Sequence, residues 1–311
     1  MTSVLLTTEL LTSELLTTDF WSSIFNFTDY GRLLALVQNS LIAGAVLGIV
    51  GGLIGVFVMQ RDMAFAVHGI SELSFAGAAA ALLFGANVVA GSLVGSLIAA
   101  TIIGVLGARA RDRNSIIGVL MPFGLGLGIL FLALYPGRSG NRFGLLTGQI
   151  LSVDIPQLGV LIAISVVVLA VLLVIWRPLV FDSVDPDVAM ARGVPARTLS
   201  IVFMILLGLM VAVSVQIIGA LLVLALLVTP AAAALRVSSS PVVVPLLAML
   251  FGFVSAVGGI LLALGGSLPI SPYVTTISFL IYLGCRIAGR ISANRLRRRP
   301  EPNPPAAGVA A

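Results

Sequence analysis

The run LSIVFMILLGLMVAVSVQIIGALLVLALLVTPAAAAL, residues 199–235, holds no charged side chain over its whole length. As a single helix at 1.5 Å per residue it would be roughly 55 Å long, nearly twice the hydrocarbon thickness of a bilayer. It therefore has to turn. Gln216 and Gly219 mark the place, leaving two short helices, or one crossing with a re-entrant piece held inside the protein. On either side the pattern repeats at the scale of one crossing. Apolar stretches at about 33–59, 64–86, 88–107, 115–135 and 158–177 precede the run, and stretches near 243–264 and 272–289 follow it. The expected fold is an all-α polytopic membrane protein with nine transmembrane helices, or eight plus a re-entrant segment. Composition agrees: 59% of the 311 residues are hydrophobic and 9% charged, a balance that excludes a water-soluble globule. The runs are continuous rather than alternating in polarity, which excludes a membrane β-barrel.

All 17 basic residues are arginines, set against 12 acids. They fall between the apolar runs and not on a polar, aromatic-bearing domain, so they speak for membrane orientation and against nucleic-acid binding. With the N-terminus outside, only Arg32, Arg138 and Arg142 lie on the external side and every other arginine is cytoplasmic. The chain then divides into an acidic extracellular extension (1–32), a transmembrane domain (33–290) and an Arg-rich, then Pro/Ala-rich cytoplasmic tail (291–311). The tail lacks periodicity and is expected to be disordered. The extension has no basic residue ahead of an apolar stretch and does not read as a cleaved signal peptide. Cys285 is the sole cysteine, so neither an internal disulfide nor a thiolate cluster can form. Without any lysine there is no phosphate loop ending in Gly-Lys, so energy for active transport must come from a partner subunit or an ion gradient.

Ionisable groups within apolar spans are costly and are candidates for function. One constellation stands out: VHGISELSFAG, residues 67–77, in which His68, the only histidine, lies four residues before Glu72. On a helix this spacing puts imidazole and carboxylate on one face, where they can share a divalent cation, Zn²⁺ or Mn²⁺ rather than Ca²⁺ or Mg²⁺. A plain His to Glu hydrogen bond in interfacial water reads equally well from the pattern. Gly69, Ser74, Gly77 and the alanines 78–81 let neighbouring helices approach closely, as a narrow pathway requires and as ordinary helix packing also does. A second feature is the polar stretch FDSVDPDVAMARGVP, residues 181–195. Asp185 can cap a helix that starts with Pro186 and ends at Gly193, giving a short cytoplasmic helix for a motor subunit to engage, although capping alone fits a surface linker as well.

In order and spacing these pieces resemble the permease subunits of ATP-binding-cassette importers for zinc and manganese, a family that includes iron-chelate relatives. The resemblance covers about residues 33–290. It rests on Arg61, Met63, Ser71 and Gly77 around the 68–72 pair and on the stretch 112–120. Phe143-Gly144-Leu145-Leu146, the stretch 181–194, and Gly219-Ala220-Leu221-Leu222 followed by Thr229-Pro230-Ala231-Ala232 complete it. The family's metal-binding acid and histidine fall on His68 and Glu72, exchanged in order and with Glu in place of Asp. The resemblance implies metal binding by His68 and Glu72, and ATPase coupling through Asp185, Pro186, Asp187, Ala191 and Gly193. It further implies packing or pathway roles for Ser71, Gly77, Gly219 and Pro230.

The expected function is therefore import of Zn²⁺, favoured, or Mn²⁺ by alternating access across the plasma membrane, with no catalysis in this chain and no permanently bound cofactor. The expected partners are two cytoplasmic ATPases, an extracellular metal-binding protein, a second permease copy and membrane lipid. A permease for an iron chelate or another small substrate, and a gradient-driven secondary transporter, are the rival readings.

Overall fold

The computed structural model describes residues 30–107, 110–137, 153–265 and 270–297. The 1–29 part of the acidic extension, the 143–146 segment and the tail beyond Arg297 lie outside these residues, as do Arg138 and Arg142. A short helix α1 (Tyr30–Leu36) leads into α2 (Gln38–Gln60). There follow α3 (Ala64–Leu83), α4 (Val88–Leu106), α5 (Ala110–Leu134), α6 (Ile155–Val184), α7 (Pro186–Ala191), α8 (Ala196–Ile218), α9 (Ala220–Val237), α10 (Val243–Ala263) and α11 (Ile270–Arg297). No strand occurs among the described residues.

Eight of these helices are long and apolar enough to cross a membrane, and α9, apolar from Leu222 to Val237, is shorter. This count matches the eight long spans of the alternative the sequence offered, with α9 as the further short segment. Helix α9 follows the end of α8, where Gln216 Nε2 donates to the carbonyl of Val88 at the start of α4. At its far end, the backbone of Arg236 lies against Gly289 of α11. Its 18 residues rise about 27 Å. The break is local: Gly219 sits at φ 81°, ψ 157°, a conformation essentially confined to glycine.

Two further boundaries differ from the sequence reading. The first span is divided at Val37, so that α1 stands apart from α2. The fifth, expected to end near residue 177, continues to Val184. Phe181, Asp182 and Ser183 therefore extend α6 rather than forming a loop, because apolar positions recur beyond Pro178 and Leu179 is fully buried.

Close helix crossings hold the bundle together. Antiparallel α2 and α10 meet at Gly48 and Gly252, where a Cβ on either glycine would strike the other's carbonyl. Gly77 of α3 meets Gly91 and Gly95 of α4 in the same way. Between apolar helices in lipid, such backbone proximity supplies the dispersion attraction that the hydrophobic effect does not. The core centres on α2, α3 and α8, with Leu47, Ile54, Phe57, Ile70, Phe203 and Leu207 fully buried or nearly so. Val119, Leu173 and Val174 are 69–82% exposed, a surface suited to acyl chains.

Candidate metal centre

His68 and Glu72 lie on the first half of α3. Helix α5 packs against the adjoining face: Gly69 faces Ile117 and Met121, and a Cβ on Gly124 would come 3.0 Å from the carbonyl carbon of Glu72. Ser71 Oγ donates to the His68 carbonyl at 2.8 Å, using its hydroxyl within the helix. The imidazole Nε2 and the carboxylate Oε1 are 3.6 Å apart, with side-chain exposures of 28% and 5%. That separation is too long for a hydrogen bond, and neither His68 Nδ1 nor Glu72 Oε2 has any hydrogen-bond partner. Two donors holding one ion at about 2.1 Å each would stand about 3.0 Å apart at a right angle and about 3.4 Å apart at the tetrahedral angle. The pair is a few tenths of an ångström from that geometry. Among the described residues no three His, Cys, Asp or Glu side chains gather in one group, so a cation at this pair would meet one nitrogen and one carboxylate from them.

Of the other expected residues, five gather at α7 and three lie apart from them. Asp185, Pro186, Asp187, Ala191 and Gly193 fall together: Asp185 Oδ1 accepts from Val188 N at 3.1 Å, Pro186 opens α7, and Gly193 reverses the chain at φ 81°. Helix α7 buries Ala189 against its neighbours α6 and α8 and exposes Val188 and Met190. Gly77 lies at the α4 crossing, Gly219 at the α8–α9 break, and Pro230 within α9. None of these is placed at the His68–Glu72 pair.

A contact that the sequence reading did not pair lies at the α7 end of the bundle. Arg61, at the corner between α2 and α3, binds Asp182 of α6, Nη1 to Oδ2 2.8 Å, with side chains 10% and 4% exposed. Its guanidinium stands 5.8 Å over the Phe203 ring, and its carbonyl accepts from Arg113 Nη2 at 3.0 Å. Burial draws the Arg61 guanidinium below its ordinary value, and Asp182 works against that drift. A cavity of about 540 Å³ adjoins the cluster, lined in part by Gln60, Arg61, Asp62, Arg113, Asp182 and Arg197. The signal that could have found the pair is Asp182 itself: a carboxylate near an apolar span requires a cation close by.

Eight helices long and apolar enough to cross a bilayer make this a polytopic membrane protein. Residues 34–288 match the ABC 3 transport family, and the chain belongs to it. It is therefore a multi-pass transport permease and not an enzyme. It is similar to the manganese transport system membrane protein MntC of Halalkalibacterium halodurans, 32% identical over 240 residues, 77% of this chain and 82% of that one. It is also similar to the manganese import system permease protein ScaB of Streptococcus parasanguinis, 28% identical over 84% of this chain and 93% of that one. Among solved structures, PsaBC from Streptococcus pneumoniae in complex with Fab superposes with a TM-score of 0.76 at 25% identity, covering 86% of this chain and 99% of that chain. An inward-facing putative metal-chelate type ABC transporter, 16% identical with a TM-score of 0.65, shares the fold.

Proposed function

We propose that this chain is the permease of an ATP-driven importer for a divalent transition metal, and that His68 and Glu72 receive the ion in transit. The observation that carries this reading is their geometry: a nitrogen and a carboxylate oxygen 3.6 Å apart on one helical face, each side chain with a buried atom left without a partner. A structural hydrogen bond would have closed that gap; a site for a cation leaves it open. Two protein donors bind an ion loosely enough to let it leave, which favours transit over storage.

The cargo is manganese or zinc. The named relatives are manganese permeases, whereas the donor set alone favours zinc, which binds nitrogen and oxygen ligands more tightly in the divalent series. Manganese is the working cargo on this reading, with zinc the tighter competitor. The arginines Arg61, Arg113, Arg192, Arg197 and Arg236 sit at helix ends on the α7 side, which supports a reading with that end in the cytoplasm and the start of α2 outside. There α7 engages an ATPase whose closure rocks the spans. An external metal-binding protein and a second permease copy complete the assembly.

Reconstitution of the permease with its ATPase in liposomes tests the proposal. Mn²⁺ uptake that needs ATP and is lost in the His68→Ala, Glu72→Ala double variant is the expected result. Uptake without the ATPase would support a secondary carrier, and intact uptake of an iron chelate by the double variant would support the chelate permease.

A further inference from the structure

Arg61 joins the corner leading into α3 to the last turn of α6, and its surroundings suggest more than packing. The corner is stiff. Met63 N donates to the Val58 carbonyl at 2.8 Å, Met63 is 1% exposed, and Asp62 holds a left-handed φ of 52°. Arg113 of α5 pins the Arg61 carbonyl from one side, while the Phe203 ring of α8 lies beneath the guanidinium. From this corner α3 runs directly to His68, seven residues on. At the other partner, Asp182 is three residues from Asp185, the cap of α7, along a helix that continues to Val184. One buried ion pair thus spans the gap between the helix facing the motor and the helix carrying the metal pair. Burying two charges brings little net stability, and its best-attested use is to fix one arrangement of the parts it joins.

We propose that Arg61 and Asp182 form the strut that carries movement of α7 to α3, and so couple ATP hydrolysis to metal movement without touching the metal. This rests on the transport reading above. The pair is a positioning device: it holds α6 and the 61–63 corner as one body, so that tilting of α7 turns the base of α3.

The test uses the complete transporter in liposomes, with Mn²⁺ uptake, ATP hydrolysis and Mn²⁺ binding measured on the same preparations. Asp182→Asn is expected to bind Mn²⁺ and hydrolyse ATP within about threefold of the parent, while uptake per ATP falls by about tenfold or more. The exchanged pair, Arg61→Asp with Asp182→Arg, is expected to regain most of that loss. A merely structural pair would lower the amount of folded protein without changing uptake per ATP. A fall of less than about threefold in that ratio for Asp182→Asn overturns the strut. Should Asp182→Asn not assemble, the decision passes to the exchanged pair and to Arg61→Lys, which keeps the charges. Normal uptake per ATP in these supports the strut, and loss of coupling in a folded Arg61→Lys transporter overturns it. Failure of the transport reading would look different, since the parent protein itself would then show no ATP-dependent Mn²⁺ uptake.

Discussion

Replacing Glu72 with glutamine preserves side-chain volume and removes one of the two donors, so its effect on metal affinity measures the pairing itself. His68 and Glu72 share a rigid helical face with Nε2 and Oε1 3.6 Å apart, so an ion held by one is presented to the other without a search. Linked binding groups of this kind gain about 10²- to 10⁴-fold over either alone, about 2.7 to 5.5 kcal/mol. The gap must close by a few tenths of an ångström to reach the separation of two ligands on one ion, which sets the expectation at the lower end. Glu72→Gln and His68→Gln should therefore each weaken Mn²⁺ binding about 10²-fold. The double variant should lose no more than about tenfold beyond either single, because the second removal has no pairing left to break. Isothermal titration of the purified permease reads all four proteins. Single effects below about threefold, or losses that simply multiply in the double variant, would refute the shared site.

Three other outcomes follow from the same structure. A metal-bound imidazole is neutral, so protons compete with Mn²⁺, and affinity should fall once the medium is acid enough to protonate His68, by up to about tenfold per pH unit; titrations at mildly acid and neutral pH check this, and equal affinities count against His68. Gly219→Ala places a Cβ at φ 81°, ψ 157° and should destabilise the fold by about 1 to 3 kcal/mol, seen as a lower unfolding temperature in detergent. Asp185→Ala removes the side-chain acceptor for Val188 N and should cost α7 about 1 kcal/mol, lowering Mn²⁺-stimulated ATP hydrolysis while Mn²⁺ binding by the permease is kept.

Much of the fold was legible because a bilayer forces its helices to declare themselves as apolar runs about one membrane thick. The turn at Gly219 followed from length alone, and its glycine-only backbone conformation explains why the break falls there and not at Gln216. Helix α7 was legible because its signals are local: Asp185, Pro186 and Gly193 act within the helix they bound. The His68–Glu72 pair was visible for the same reason, being four residues apart on one helix. What could not be read was contact across the chain. Arg61 and Asp182 are 121 positions apart, and nothing near either residue names the other. The sequence reading placed Asp182 in a loop because it weighed the polar residues around it, whereas the burial of Leu179 beyond Pro178 keeps α6 helical through to Val184.

The most direct test of the metal centre exploits the fact that this chain has one histidine. Mn²⁺ bound to permease carrying ¹⁵N-labelled histidine should show nuclear modulation from a single directly coordinated nitrogen in electron spin echo measurements, and the Glu72→Gln variant should show that signal only at much higher Mn²⁺ concentration. Tightly bound Mn²⁺ without any histidine nitrogen in its coordination shell would contradict the assignment of His68 as a ligand and, with it, the proposed route of the ion.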